Sequence, residues 1–429
     1  MSLTLLVLPM MARFKSISFN GVMLGGIGRA LASPHYRLYA CGHIANVFGW
    51  WGNRLGIGWL TWDLTGSAGL LGIVAFAGMI PVTLVAPFAG VFADRYGHRR
   101  MAILSGLASG TVTLTLALLV LADNITVPLL LFLSVLQGVG FGTEFPARQA
   151  LIPQLCKREN LPAALAFNST SFQVGTFLGP VVAGYLIARY GTGASILMFA
   201  VTNYWMVLMI FLIRHRPEPR ERRPFSGFLD EIMEGFRYIA AKPALRLLFA
   251  ISLTMGVLLR PYTELLAGFA DNVFGGGPEE LAALTAAAGF GALASGLFLA
   301  FRGRTRGLVN IMLLGAVTGS VGLGLFAIQT NMTLGVITIC VASLLLLTCH
   351  VGVYSLIQNA TDQEMRGRVI SCSVSITIGG PALGALLIGW LAELVGFQWA
   401  VGISAIAALI IFFALLSPIR NVTSEIEAE

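Results

Sequence analysis

Gly90-Val91-Phe92-Ala93-Asp94-Arg95-Tyr96-Gly97-His98-Arg99-Arg100 places one carboxylate and three guanidiniums in a compact turn between two long apolar runs. Only 11% of the 429 residues are charged, so charge gathered at one point is informative. The runs on either side, near 67–93 and 101–122, are each long enough to cross roughly 30 Å of hydrocarbon as a helix of about twenty residues. A charged turn held between two such runs predicts an antiparallel pair of membrane-spanning helices joined in water.

Composition carries that reading along the whole chain. With 56% hydrophobic residues and a mean hydropathy of +0.83, there is more apolar surface than a soluble fold of this length could bury. Twelve spans are predicted, near 37–61, 67–93, 101–122, 127–149, 162–189, 192–213, 246–271, 280–301, 307–328, 332–358, 369–394 and 397–417. Gly, Pro and Ser inside these runs suit packed transmembrane helices. Strand barrels are excluded, because no stretch alternates at period two over about ten residues. The expected fold class is therefore all-α and integral to the membrane.

Of the 27 Lys and Arg residues, all but Arg54, Arg189 and Arg260 fall on one side of this arrangement. The positive-inside rule makes that side cytoplasmic, with both termini and the long connection after span 6. The net charge of +7 is then a matter of topology, and no nucleic-acid partner is expected. The predicted organisation is a cytoplasmic N-terminal segment (1–35), a six-helix bundle (36–213), a cytoplasmic linker (214–245), a second six-helix bundle (246–417) and a tail (418–429). Met1 to Ala12 are apolar but lack the charge and cleavage site of a secretory signal. Within the linker, Phe225, Phe228, Leu229, Ile232, Phe236 and Ile239 recur at helical spacing opposite Asp230, Glu231, Glu234 and Arg237, which predicts an amphipathic helix on the inner membrane surface.

An internal repeat supports the two halves. Gly175-Thr176-Phe177-Leu178-Gly179-Pro180-Val181-Val182-Ala183-Gly184 in span 5 matches Gly379-Gly380-Pro381-Ala382-Leu383-Gly384-Ala385 in span 11, and Arg54 with Asp63 is spaced like Arg260 with Asp271. Parallel repeats of this kind occur in transporters whose substrate site lies between the halves near midplane.

These motifs together resemble the major facilitator superfamily of secondary transporters. The charged turn resembles that family's loop between helices 2 and 3, roughly Gly-x-Leu-x-Asp-Arg-x-Gly-Arg-Arg/Lys, with Phe92 for Leu and His98 for Arg. Gly175 to Gly184 looks like the span 5 pattern of its exporters. Glu144-Phe145-Pro146-Ala147-Arg148-Gln149-Ala150-Leu151-Ile152-Pro153, Leu161-Pro162-Ala163-Ala164 and Arg366-Gly367-Arg368-Val369 look like a bacterial exporter subgroup that includes the enterobactin exporter and drug efflux carriers. The resemblance runs from about residue 35 to 417. It implies a monomeric carrier of the bacterial inner membrane that exports an amphipathic small molecule, a siderophore or a toxic compound, by alternating access and proton antiport. A lysophospholipid carrier, a transport-inactive scaffold or receptor, and an uptake symporter are the alternatives.

Alternating access needs a latch at the cytoplasmic end. Asp94 is expected to meet the positive N-terminal end of span 11 near Arg368, and Arg95 and Arg148 to pair with Glu144, which lies four residues before Arg148 on one helical face. His98, Arg99 and Arg100 are expected to anchor helix ends at the headgroups. Gly175, Gly179 and Gly184 let helices approach closely and Pro180 loosens the helix, so this motif reads as a packing hinge.

Ionisable groups inside hydrocarbon are costly, which makes them the candidates for substrate or proton binding. They are Arg54 in span 1 and Arg260 and Glu264 in span 7. Glu264 at i+4 from Arg260 reads either as a structural ion pair or as a proton-coupling carboxylate. Arg54 has no evident partner, since Asn53 stands where relatives often carry Asp, and an unpaired Arg favours an anionic substrate. His43 reads as a packed residue or a titrating one, and Trp50, with Trp51, as a stacking surface or simple packing. Trp59, Trp62, Tyr190 and Trp399 look like an interfacial belt. In span 4, Ser134 stands where proton-coupled exporters often carry Arg before Gln137-Gly138, leaving Glu264, Asp63 or Glu144 to carry protons.

Nothing points to an enzyme or a cofactor. The sequence holds no Walker A, His-Glu-x-x-His or Gly-x-Ser-x-Gly motif, its glycine clusters lie within apolar helices, and its five cysteines lack metal-ligand spacing.

Overall fold

The computed structural model describes residues 25–213, 228–302 and 306–423. The first dozen residues, the linker basics from Arg214 to Arg223 and Phe225 lie outside the described residues, as do the side chains of Asp94 and of 228–232.

The order of elements follows the hydropathy pattern. A short α1 (Gly25–Ala32) leads into α2 (Pro34–Thr65), α3 (Ala68–Tyr96), α4 (His98–Leu121), α5 (Val127–Leu155), α6 (Leu161–Tyr190) and α7 (Thr192–Leu212). After α8 (Phe228–Ala241) comes a broken span: α9 (Pro243–Thr254), a π-helical turn (Met255–Leu259), α10 (Tyr262–Gly268) and a second π turn (Phe269–Val273). The second half closes with α11 (Pro278–Arg302), α12 (Leu308–Ala327), α13 (Met332–Asn359), α14 (Arg366–Val395) and α15 (Phe397–Asn421). Among the described residues, eleven spans meet the length and hydropathy expected of a membrane crossing. The twelfth crossing is α2, whose 32 residues include His43, Asn46, Asn53, Arg54 and Asp63, so its polarity hides its length.

In the first half α2 packs on α6 and α7, and α5 packs on α3 and α4. In the second, α13 packs on α11 and α12, and α12 on α15. The halves meet most extensively along two helix pairs, α3 with α14 and α6 with α11, with α10 also touching α2 and α3. The repeat is visible in backbone geometry: Gly191 (φ 81°, ψ 168°) turns α6 into α7, and Gly396 (φ 86°, ψ 161°) turns α14 into α15. Gly97, in the charged turn, stands at φ 92°, a conformation that glycine adopts without the clash a Cβ would bring.

The seam between the halves runs from the end opposite the basic turns to the middle of the helices. A Cβ on Gly72 would collide with the Ala385 carbonyl of α14, and one on Gly389 would come within 2.8 Å of the Ala68 carbonyl and 3.0 Å of Gly72 Cα. On the other side of the molecule, Cβ atoms on Gly184 and Gly289 would collide with Ala282 and the Thr176 carbonyl. Towards the basic end the same helices carry exposed Phe92, Tyr96, Phe298 and Phe301.

The linker helix docks on the start of α14. Its Glu234 takes a 2.8 Å bond from Arg368 of α14, and Gly235 lies against Arg368 and Cys372. Lys242 donates to Asp362 at 2.9 Å, and Tyr238 lies beside both. The hydrogen bond with Tyr238, then that with Lys242, holds the Asp362 carboxyl below its ordinary range, while Tyr238 and Asp362 hold the Lys242 ammonium above its own.

Candidate functional site

At the middle of the seam Arg54 of α2 forms an ion pair with Glu264 of α10, across 210 residues of sequence and from one half to the other. Thr263 also donates to the same Glu264 oxygen at 3.2 Å. The Arg54 guanidinium lies 5.6 Å from the Trp50 ring centroid and 5.8 Å from that of Trp51, within cation–π range of both. Trp50 in turn meets Trp51 edge-on at 4.8 Å and stacks on Phe141 of α5 at 5.8 Å. Asn53 donates to Gln137 at 3.3 Å, and Gln137 to Thr113 at 3.1 Å, a polar relay joining α2, α5 and α4.

Arg54 therefore has a partner, and the reason for expecting an anionic substrate from an unpaired Arg54 falls away. Arg260 and Glu264 do not form the i+4 pair expected of them. The backbone between them is not α-helical: the Thr263 amide bonds three residues back to the Arg260 carbonyl at 3.3 Å and the Glu264 amide three back to Pro261 at 3.0 Å, so the four-residue register is absent there, and Glu264 is taken by Arg54. The Arg260 Nη1 is buried with no hydrogen-bond partner.

A second cluster lies inside the first half. Arg148 Nη1 donates to Glu144 Oε1 at 2.7 Å and to Asn46 at 2.7 Å, and Asn203 donates to Glu144 Oε2 at 3.2 Å. Glu144 is 3% exposed and Arg148 7%. The local Glu144–Arg148 pair is as expected, but Arg95 takes no part in it: it is exposed and lies over the Tyr96 ring at 5.8 Å. Arg368, expected beside Asp94, is held by Glu234 of the linker helix. Arg99 does more than anchor, donating to the Ile210 and Phe211 carbonyls that end α7.

His43 sits in this half as a packed residue, its Nε2 3.3 Å from the Asn168 carbonyl and its ring stacked on Tyr39 at 5.9 Å. Gly175 and Gly179 bring α6 onto Val47 and Trp51 of α2, while Gly184 faces α11 across the seam. Their counterparts do the same work in the second half, Gly380 against Gly256 and Gly384 against the Val257 carbonyl.

Among the described residues, Trp62 and Glu393 also make polar contacts between the halves that were not foreseen. Trp62, expected in an interfacial belt, is 7% exposed and donates to Asp271 at 2.7 Å, its ring against Phe397. Glu393 of α14 accepts from Ser67 and from the Gly69 amide, both at 2.9 Å. The sequence signals were faint: Asp271 stood out only as the repeat partner of Asp63, and Ser67 only as a residue opening a span. Among the described residues no group of His, Cys, Asp and Glu could hold a metal, and the five cysteines are free.

Two six-helix bundles that meet along antiparallel helices, with charged and aromatic side chains gathered between them inside the membrane, define a multi-pass membrane transporter, not an enzyme. The chain belongs to the transmembrane secretion effector family of the major facilitator superfamily, whose model matches residues 7–428. Among its relatives, the staphyloferrin A transporter of Staphylococcus aureus is 26% identical over 375 residues, covering 85% of this chain and 91% of that one. The enterobactin exporter EntS of Shigella boydii is 27% identical over 361 residues, 83% of each chain. Solved structures share the fold at low identity. The nucleoside transporter NupG superposes with a TM-score of 0.72 at 13% identity, covering 90% of this chain and 98% of that one. An inward-facing, unoccupied bacterial homolog of the human lysosomal transporter Spinster gives 0.71 at 15%, covering 92% and 99%.

Proposed function

We propose that this protein exports an amphipathic small molecule of the siderophore or drug type by alternating access, in exchange for protons, across the bacterial inner membrane. The moving bodies are residues 36–213 and 246–417, tethered by 214–245, and the chain works as a monomer. With the basic end in the cytoplasm, a seam closed at the opposite end leaves the carrier open to the cell interior.

The observation that carries the reading is the Arg54–Glu264 pair. A carboxylate and a guanidinium from opposite halves, paired in the membrane, tie the halves together while Glu264 is ionised. Opening the seam separates the pair and leaves Glu264 free to take a proton from the outer side, and closing re-forms the pair and releases that proton inward, which couples proton entry to the return of the carrier. Arg260, with a nitrogen that has no partner, supplies a donor for an acceptor group on the substrate, and the Trp50–Trp51 pair supplies an apolar wall. Asn53 steadies this face through Gln137. The enterobactin and staphyloferrin A carriers among the relatives support siderophores as the first substrates to try.

Proton movement measured in liposomes on adding such siderophores tests this directly. Substrate-evoked proton flux in wild type that is lost in Glu264→Gln is the expected result. No flux with siderophores or drugs, but movement of lysophospholipid, transfers the function to lipid. No movement of any substrate favours a scaffold or receptor.

A further inference from the structure

Glu393 belongs to the last turn of α14, in the second half, yet both groups it holds belong to the first half. Its Oε2 accepts from the Ser67 hydroxyl and from the Gly69 amide, 326 and 324 residues away in sequence. Ser67 is the N-cap of α3, and its own oxygen accepts from the Leu70 amide at 3.2 Å. The start of α3 is thus satisfied twice, once by its own cap and once by a carboxylate brought from the other half. First-turn amides lack helical partners, and the helix dipole leaves partial positive charge at that end, so a carboxylate there is favoured.

The contact is tied to closure. Within a few residues of it the helices touch backbone to backbone, Gly72 on Ala385 and Gly389 on Ala68, so the carboxylate reaches the α3 terminus only while the seam is shut. It also lies at an exposed helix end, unlike the more buried Arg54–Glu264 pair. A charge on a helix end at an exposed site is weak, which suits a contact that has to break and re-form in every cycle.

We propose that Glu393 is the latch of this end of the carrier: a negative side chain of one half, seated on the positive helix end of the other, holds the seam shut, and its release accompanies opening. This rests on the alternating-access reading above, and the test separates the two.

Spin labels at Asn124→Cys and Thr330→Cys report the distance across the seam end, and labels at Lys157→Cys and Glu364→Cys report the basic end. All four sites are exposed, and the native cysteines are replaced in the background protein. In lipid nanodiscs without substrate, Glu393→Gln and Glu393→Ala are expected to raise the ratio of open to closed seam by about two- to tenfold. Ser67→Ala shifts it less in the same direction, and the thermal midpoint stays that of the parent, as an exposed side chain with no role in packing requires. Glu264→Gln serves as the comparison. If it opens the seam while both Glu393 variants leave the distances as in the parent, the latch is wrong and the carrier stands. If neither end moves in any variant, at any pH or with any siderophore, alternation itself falls and the latch with it.

Discussion

Glu144 and Arg148 lie one helical turn apart on α5, and each is completed from a different helix: Asn203 of α7 holds the carboxylate and Asn46 of α2 holds the guanidinium. Three helices of the first half are thereby pinned by one buried ion pair, away from the seam.

Breaking that pair leaves a buried charge without compensation. Arg148→Met alone or Glu144→Gln alone is expected to cost about 3–5 kcal/mol, whereas the double substitution recovers most of the loss. Thermal or denaturant melting in detergent measures both, and equal losses in single and double variants would argue against a coupled pair.

Arg260 makes the opposite prediction. Its Nη1 is buried and lacks a partner, so Arg260→Gln should stabilise the resting protein, by about 1–3 kcal/mol, while lowering the rate of transport. A variant that melts earlier than the parent would mean that Arg260 is structural.

The glycine seam tolerates little volume. A Cβ at Gly72 would fall on the Ala385 carbonyl, so Gly72→Val is expected to prop the seam open and raise maleimide labelling of a Ser67→Cys probe several-fold. Gly402, where an added Cβ meets nothing within 4 Å, is the matched control.

Docking of the linker helix should depend on salt more than on pH. The lowered Asp362 carboxyl contributes stability that is present above its ordinary value of 3.8 and lost as pH falls through the lower folded value. The raised Lys242 ammonium contributes below its ordinary 10.5 and loses that contribution as pH climbs through the higher folded value. Between about pH 5 and 9 the hydrogen-exchange protection factors along 233–241, with the intrinsic rate at each pH divided out, should stay flat, yet fall from low salt to about 1 M, because the pair is exposed and screened.

What the sequence made legible was whatever is local or periodic. Span lengths follow from hydropathy, the charged turn from composition, and Glu144–Arg148 from a spacing of four on an unbroken helix. The same spacing failed for Arg260 and Glu264, because the chain between them turns with three-residue bonds around Pro261 and Arg54 takes the carboxylate. Contacts between the halves could not be read, since nothing in the neighbourhood of Arg54, Trp62 or Ser67 names a partner more than 200 residues away. The Asp94 part of the cytoplasmic latch lies outside the described residues, whereas its proposed neighbour Arg368 proved to be engaged by the linker.

The seam made of Gly72, Gly389, Gly184 and Gly289 has a consequence for speed. Where two surfaces of long side chains meet, each closure has to freeze rotamers, at about 0.5–2 kcal/mol apiece for the larger residues. Bare backbone has no rotamers to misplace. A valve seated on glycine recloses onto the same face each time with little ordering to do, and so can be opened by small forces and still shut cleanly.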